Sequence, residues 1–228
     1  MAITQPPPQG GDDGSMANAA ETGGHGGLLA TIFSAAALGF SGFSFYMSAL
    51  QGAELQVYVP PTIHYARDGG GDVELFAIPI TIANDGARTG TVLSIELEVE
   101  KIKEKTTKRY YSAFLGEHPR DTNALNRQFA PLSIAGRAVF TETVRFYPAG
   151  NPLPAVVDED GEYRFRLKLN TATPPEPGLL DRLAGRADPK PVAFDMTLPW
   201  FSEQQLGMRR ATIAMHSRDW QPTASTGK

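Results

Sequence analysis

Residues 28–50, LLATIFSAAALGFSGFSFYMSAL, contain no charged side chain. As an α-helix this stretch is about 35 Å long, at a rise of 1.5 Å per residue. The hydrocarbon core of a bilayer is ~30 Å thick. Inside lipid the backbone must satisfy its own hydrogen bonds, which makes a helix the only single-segment solution. We therefore predict that residues 28–50 cross a lipid bilayer and anchor the chain to it.

Two other structures are compatible with an apolar helix at this position. A core helix of a soluble domain usually has a polar face, whereas no face of residues 28–50 carries a charge. A cleaved signal peptide begins with a basic region and has an apolar stretch of ~7–15 residues, whereas residues 1–27 contain no Lys or Arg. An uncleaved anchor fits the sequence better than either alternative.

The predicted anchor is rich in small side chains at helical spacing. Small residues four positions apart let a second helix approach closely, which predicts self-association or association with a membrane-protein partner. Ordinary small-residue content in a membrane helix explains the same composition equally well. The candidate helix–helix interface consists of Ala30, Ser34, Ala35, Ala37, Gly39 and Ser41.

Composition outside the anchor sets the domain organisation and excludes several function classes. Residues 1–27 are rich in Pro, Gly and Ala, which predicts a disordered tail. Three acids of that tail account for most of the net charge of −4, so the nearly neutral remainder gives no reason to expect a nucleic-acid partner. The sequence has no cysteine, which excludes disulfides and thiolate chemistry. One folded domain, residues 54–217, and a loose C-terminal tail, residues 218–228, complete the prediction.

From Glu54 onward the apolar residues follow a period of two, which predicts strands with one buried face. Ile95, Leu97 and Val99, for example, alternate with glutamates. In residues 73–83 the apolar positions change from odd to even numbers. Such a change of parity predicts a bulge near residues 76–79.

The segment Asp158-Glu-Asp-Gly-Glu-Tyr163 is an acidic turn, a glycine and a tyrosine that opens a late strand. This pattern resembles the tyrosine corner of immunoglobulin-like and fibronectin type III-like sandwiches. The resemblance implies an all-β, Ig-like antiparallel β-sandwich of about seven to nine strands over residues 54–216. It also implies that the Tyr163 hydroxyl bonds back to the backbone of the preceding connection. The Cys…Trp…Cys hallmark is missing, and the resemblance implies no activity.

Two groups of residues are candidates for surface contacts. A basic cluster could contact anionic headgroups or an acidic partner, although lysines on strand edges also prevent edge-to-edge pairing. An aromatic pair after a late strand could form an exposed platform for a ligand or the bilayer, or could instead belong to the core. These candidates are Lys101, Lys103, Lys105, Lys108 and Arg109 in the first group, and Trp200 and Phe201 in the second.

We predict no catalytic, cofactor or metal site. His25, His64, His118 and His216 are far apart in sequence, and no nucleophile elbow, Walker loop or dinucleotide fingerprint occurs. The remaining metal hypothesis is calcium bound by the acidic turn of residues 158–162, or by Asp68 with Asp72. Acidic turns more often only contact solvent.

The favoured function is a non-catalytic accessory or scaffold protein of a membrane complex. The alternative is a surface-displayed module that binds a glycan, a peptide or an envelope component, and an enzyme without a recognisable motif is a third, less favoured possibility. We expect a single-pass protein of the inner or plasma membrane. The tail has no Lys or Arg and Arg67 is the first one after the anchor, which leans slightly toward a cytoplasmic domain, but long domains translocate largely regardless of charge. An extracytoplasmic (in bacteria, periplasmic) domain is expected by analogy with other anchored sandwiches.

Overall fold

A computed structural model of the chain describes residues 24–68, 73–116, 127–172, 191–202, 204–205 and 212–217. Of the predicted disordered tail, residues 1–27, positions 1–23 lie outside the described residues, as does the predicted loose tail 218–228. Residues 24–27 are helical. The chain divides into two compact units, Met1–Ser44 and Phe45–Lys228.

The predicted anchor is helical. The α-helix α1 covers Gly24–Phe45 and continues into a π-helical turn, Tyr46–Leu50. The span Gly27–Leu50 has a mean hydropathy of 1.7, and none of it is buried against the protein. By length and composition it is able to cross a membrane, as the sequence predicts. Its full exposure also argues against a core helix.

The remaining described elements are eleven β-strands. They are β1 (Leu55–Tyr58), β2 (Thr62–Asp68), β3 (Val73–Asn84), β4 (Gly90–Lys101), β5 (Thr106–Leu115), β6 (Arg127–Gln128), β7 (Leu132–Ile134), β8 (Val139–Pro148), β9 (Gly161–Thr171), β10 (Val192–Leu198) and β11 (Thr212–His216).

Eight of these strands form a closed antiparallel β-barrel, in the order β5-β8-β3-β2-β11-β10-β9-β4 and back to β5. The ring closes because β5 pairs with β8 on one side and with β4 on the other. The predicted Ig-like sandwich is therefore wrong, since a sandwich keeps two separate sheets with free edges. A one-faced strand has the same alternation in both architectures, so the sequence pattern could not separate them.

The barrel interior is filled by apolar side chains, as is usual for eight strands. Phe76 lies among three other aromatic rings, with ring centroids 5.3 Å from Tyr65, 5.1 Å from Tyr110 and 5.3 Å from Phe165. In β3 all the even-numbered residues from Glu74 to Asn84 are buried.

The predicted bulge near residues 76–79 is wrong, because β3 pairs with β2 and β8 in continuous register. Leu75 and Ala77 are buried on the other face of β3, in a separate apolar cluster with Ala66. This second cluster is what makes the apolar parity change in the sequence. Register shifts occur instead in β4, between Val92 and Ser94, and in β5, between Ser112 and Phe114.

The two ends of the barrel are built from different connections. At one end, called the Asn84 end, residues 84–90 and 134–138 meet residues 51–54, where the chain leaves the π-helical turn. At the other end, called the Glu74 end, the β4–β5 turn meets the connection between β8 and β9, residues 149–160.

Candidate functional site

The surface of α1 is apolar and open on all sides. Large side chains such as Phe33 (71% exposed) and Leu38 (76% exposed) lie on this surface. The hydroxyls of Thr31 and Ser48 donate to carbonyl oxygens of their own helix, Gly27 O at 2.8 Å and Phe45 O at 3.2 Å. A helix with an apolar surface and internally bonded hydroxyls is suited to lipid.

The small residues of the predicted helix–helix interface lie on two faces of α1. Ala30, Ser34, Ala37 and Ser41 have the spacing of one face, and Ala35 and Gly39 lie on the opposite face. All six are exposed. A methyl group added at Gly39 would meet nothing within 4 Å. Both faces are sterically free for another helix, and the interface itself stays a prediction.

At the Glu74 end, a fully buried carboxylate binds the β8–β9 connection. Glu74 accepts hydrogen bonds from the backbone N–H groups of Val156 (2.9 and 3.0 Å) and Val157 (3.3 Å). It also accepts from Lys108 Nζ at 3.0 Å and Tyr110 Oη at 2.5 Å. These five contacts provide the compensation that a carboxylate needs when it is removed from water.

Further side chains hold the same connection from both sides. Lys108 Nζ donates to the carbonyl oxygens of Pro152 (2.5 Å) and Pro154 (2.8 Å). Arg67 Nη2 donates to Val157 O at 3.2 Å, while its Nε donates to the hydroxyl of Tyr65. Burial, together with the nearby Glu74 charge, raises the pKa of both Tyr65 and Tyr110. The hydrogen bonds to residues 152–157 therefore fix this connection at the Glu74 end of the barrel.

Lys101 forms a second buried ionic group at the Glu74 end. Its Nζ lies 2.6 Å from Asp158, 2.8 Å from Glu104 and 3.3 Å from Glu159. Burial alone would lower the pKa of Lys101, but the hydrogen bonds to these carboxylates outweigh it and raise the pKa. Hydrogen bonds from Lys103 and Lys101 lower the pKa of Glu159. The acidic turn of the calcium hypothesis therefore binds lysines of the same chain.

The structure divides the predicted basic cluster into buried and exposed members. Lys101 is 4% exposed, and Lys108 is occupied by Glu74 and the β8–β9 connection. Lys103, Lys105 and Arg109 are exposed. Only these three are accessible to an anionic partner on this hairpin.

Tyr163 opens β9, and its hydroxyl donates to Glu159 O at 2.7 Å. Desolvation by burial raises the pKa of Tyr163 to about 12. The contact joins the first inward residue of β9 to the acidic turn before it. The contact expected of a tyrosine corner is thus present in a β-barrel, so it does not distinguish a barrel from a sandwich.

The aromatic pair after β10 is also divided. Trp200 is 78% exposed, whereas Phe201 is half-buried and packs against the hydrophobic core. Trp200 alone could therefore supply an aromatic contact surface.

Two histidines that are distant in sequence lie on neighbouring strands. His64 of β2 pairs with Ala214, and His216 of β11 pairs with Thr62, so the two histidines are diagonal neighbours. His216 Nδ1 lies 3.2 Å from Thr62 Oγ1. Within the described ranges no group of three or more His, Asp or Glu side chains is arranged to hold a metal ion. His118 and Asp72 lie outside those ranges.

No protein-family model matches this sequence, and no curated protein matches it. The chain is similar to a solved structure described as "Putative ApaA Protein from Bordetella pertussis", with a TM-score of 0.27 and 16% sequence identity. The match covers 66% of this chain and 93% of that chain. A likeness of this size establishes neither a shared fold nor a shared function, so function depends on the contacts described above.

Proposed function

We propose that this chain is a single-pass, membrane-anchored accessory protein that presents a β-barrel domain for protein–protein interaction within a membrane complex. The observation that carries the proposal is the uncharged span Gly27–Leu50, which is long enough for a bilayer and unburied over its whole length. Exposed in water, so many large apolar side chains would favour aggregation. In lipid they are in their preferred solvent.

The contacts of the barrel support an accessory role over a catalytic one. The buried polar side chains of Glu74, Asn84 and Lys101 are each bound to several groups of the same chain. Asn84, for example, donates to the carbonyl oxygens of Arg88, Ile134 and Ala135 at 2.9–3.1 Å. Side chains engaged in this way stabilise the fold and are not free to bind a substrate.

Membrane insertion is tested by extracting membranes that contain the full chain with alkaline carbonate. The chain should stay in the membrane pellet, and its release into the soluble fraction would refute the proposal. Assembly is tested by purification in mild detergent, which should recover partners in stoichiometric amounts.

The anchor's role in assembly is tested with two double variants that place bulk on the two small-residue faces. Ala37→Leu with Ser41→Leu fills one face, and Ala35→Leu with Gly39→Leu fills the other. At least one pair should reduce partner recovery, because leucine prevents close helix approach. Ala36→Leu adds the same bulk on neither face and serves as the control. Unchanged recovery in both double variants would exclude helix–helix association.

We infer that the barrel is extracytoplasmic, at the inner or plasma membrane. The analogy with anchored sandwiches no longer applies, and the inference rests on the rule that long domains after an anchor translocate largely regardless of charge. The chain has no native cysteine, so a single cysteine reports its own side of the membrane. Thr107→Cys, in the exposed β4–β5 hairpin, should react with an impermeant maleimide in intact cells or, in bacteria, in spheroplasts. Labelling only after lysis would place the domain in the cytoplasm.

The exposure of Trp200 favours one alternative, a surface-displayed module that binds a glycan, a peptide or an envelope component. Aromatic side chains of this kind supply large contact areas at binding surfaces. If partner recovery is lost in Trp200→Ala but unaffected by bulk in the helix, the binding-module function replaces the accessory function.

A further inference from the structure

The basic residues nearest to the end of the anchor come from distant parts of the sequence. In the sequence, Arg67 is the first Lys or Arg after the span. In the fold, however, Arg137 Nη2 donates to the carbonyl oxygen of Met47 at 3.0 Å. Met47 belongs to the span Gly27–Leu50, three residues before it ends. The Arg137 guanidinium is therefore within about one helical turn of the position where the chain leaves the apolar span.

Backbone contacts place a second arginine beside the same position. The N–H groups of Ala87 and Arg88 donate to Gln51 O at 3.2 and 3.0 Å, and Gln51 directly follows the span. The N–H of Arg137 donates to Gly86 O at 3.0 Å, which joins the two arginine-bearing turns.

These turns are tightly built. A methyl group added at Gly136 would lie 1.9 Å from Ala87 O, so only glycine fits there. Arg137 itself has a φ of 59°, in the left-handed region that non-glycine residues seldom adopt. The fold thus holds Arg137 in a costly conformation beside Met47.

The guanidinium groups of Arg88 and Arg137 are accessible to an anionic ligand. Arg88 and Arg137 are exposed, and no carboxylate of the described residues forms an ion pair with either. Two acids, Glu54 and Asp85, lie on the segments that meet at this end of the barrel, and they contact other groups. Asp85 accepts from Gln56 at 2.7 Å, and Glu54 O accepts from the Asp85 N–H.

Exposed apolar side chains continue the span onto this end of the barrel. Leu50 is 40% exposed, and Val139, two residues after Arg137, is 64% exposed. An apolar rim with arginines is the pattern of a protein surface that lies at the lipid headgroups.

We propose that Arg88 and Arg137 form a binding site for the phosphate of an anionic phospholipid in the leaflet from which the barrel emerges. The inference rests on the proposed function, because it requires α1 to span the bilayer. Guanidinium groups bind phosphate oxygens bidentately. The site exists only when the barrel is folded, because the fold alone brings residues 88 and 137 to residue 47.

Anionic lipid should therefore stabilise the folded barrel by linkage. The test measures the Tm of the full chain in detergent micelles that contain either phosphatidylglycerol or phosphatidylcholine. For a domain of this size, one engaged arginine corresponds to a rise of about 2–4 °C in phosphatidylglycerol. Arg88→Gln should lose part of this rise, and Arg88→Gln with Arg137→Gln should lose all of it. Arg88→Lys with Arg137→Lys should keep part, which separates charge from a folding defect.

The matched control is Lys105→Gln with Arg109→Gln, which removes two exposed cations of the β4–β5 hairpin that also form no ion pair among the described residues. This variant should keep the full rise in phosphatidylglycerol. An equal loss in the control would overturn the proposal, as would an undiminished rise in the double arginine variant or no rise in the parent chain. A rise of the same size with millimolar glycerol phosphate and no lipid would make the site one for free phosphate and overturn the lipid assignment.

Alkaline carbonate extraction of the double arginine variant keeps the two proposals apart. Retention in the pellet together with loss of the lipid effect supports the site. Release of the parent chain would instead refute the membrane anchor itself.

Discussion

Replacement of Glu74 by glutamine tests how much the buried ionic group at the Glu74 end stabilises the folded barrel. The side chain of Glu74 is 0% exposed and accepts from Lys108, Tyr110, Val156 and Val157. Glutamine has nearly the same shape but carries no charge. The amide NH₂ of glutamine would replace one of the two carboxylate oxygens. At either position it would face hydrogen-bond donors in place of an acceptor. Lys108 would keep its carbonyl partners but lose its counter-ion.

The size of the effect follows from burial. Removing one partner of a buried ion pair costs about 3–5 kcal/mol, because the other charge is left without compensation. In a domain of this size each kcal/mol corresponds to about 2–4 °C in Tm. Glu74→Gln should therefore lower the Tm by roughly 6–20 °C.

The assay is thermal unfolding of the full chain in detergent at pH 7, followed by circular dichroism in the β-sheet band. Glu98→Gln is the matched control, because Glu98 pairs with Arg166 at the barrel surface with both side chains partly exposed. That change should cost at most about 1 kcal/mol. If Glu74→Gln lowers the Tm no more than Glu98→Gln does, the buried ionic group does not stabilise the folded barrel to the expected extent.

Three further predictions concern the two ends of the barrel. Tyr163→Phe removes the hydroxyl that donates to the Glu159 carbonyl, and should lower stability by about 1 kcal/mol in urea unfolding. Because burial raises the pKa of Tyr163 from 10.0 to about 12, the folded state holds this proton more tightly. The contribution of this raised pKa to the free energy of unfolding should be complete below pH 10 and decline as the pH rises toward 12. In Tyr163→Phe the loss of stability between pH 10 and 12 should be smaller by that amount. Gly136→Ala should lower the Tm markedly, since its methyl would lie 1.9 Å from Ala87 O, whereas Gly39→Ala in the open helix should leave barrel unfolding unchanged. Lys103→Gln should raise the pKa of Glu159, which Lys103 and Lys101 lower, as carboxyl ¹³C NMR at falling pH would show.

The sequence predicted the elements of this protein better than their arrangement. An uncharged stretch of sufficient length identifies a helix, and period-two alternation identifies strands such as β4 and β9, because both signals are local. Closure of the barrel depends on β5 pairing with β4 and also with β8, whose partner residues lie 29 to 38 positions away in sequence, from Leu115↔Val144 to Tyr110↔Pro148. Local alternation is the same whether or not that second pairing forms, so a sandwich and a barrel could not be distinguished.

The ionic groups of the Glu74 end were missed for a related reason. Glu74 continues the inward parity of Phe76 and Ile78, and Lys101 continues that of Leu97 and Val99. In β3 the apolar residues Val73 and Leu75 have the opposite parity, which makes Glu74 read as an outward residue and predicts the bulge that the structure lacks. Extending the parity by one more step would have placed both charges inside. The partners that neutralise them, on the β8–β9 connection, carry no sequence signal of the pairing.

The same reasoning shows that basic residues adjacent in sequence do not reveal which cations stay unpaired in the fold. Lys101 and Lys108, in the conspicuous basic cluster, are consumed by carboxylates of the Glu74 end. Arg88 and Arg137 form no cluster in the sequence, yet the fold brings both to residues 47–51 with no carboxylate of the described residues paired to them. An anionic surface attracts the cations that remain unpaired in the folded protein, and the sequence alone does not show which cations those are. Lys105 and Arg109 of the hairpin are also exposed and form no ion pair among the described residues. What distinguishes Arg88 and Arg137 is that contacts to Met47 and Gln51 hold them beside the end of the apolar span.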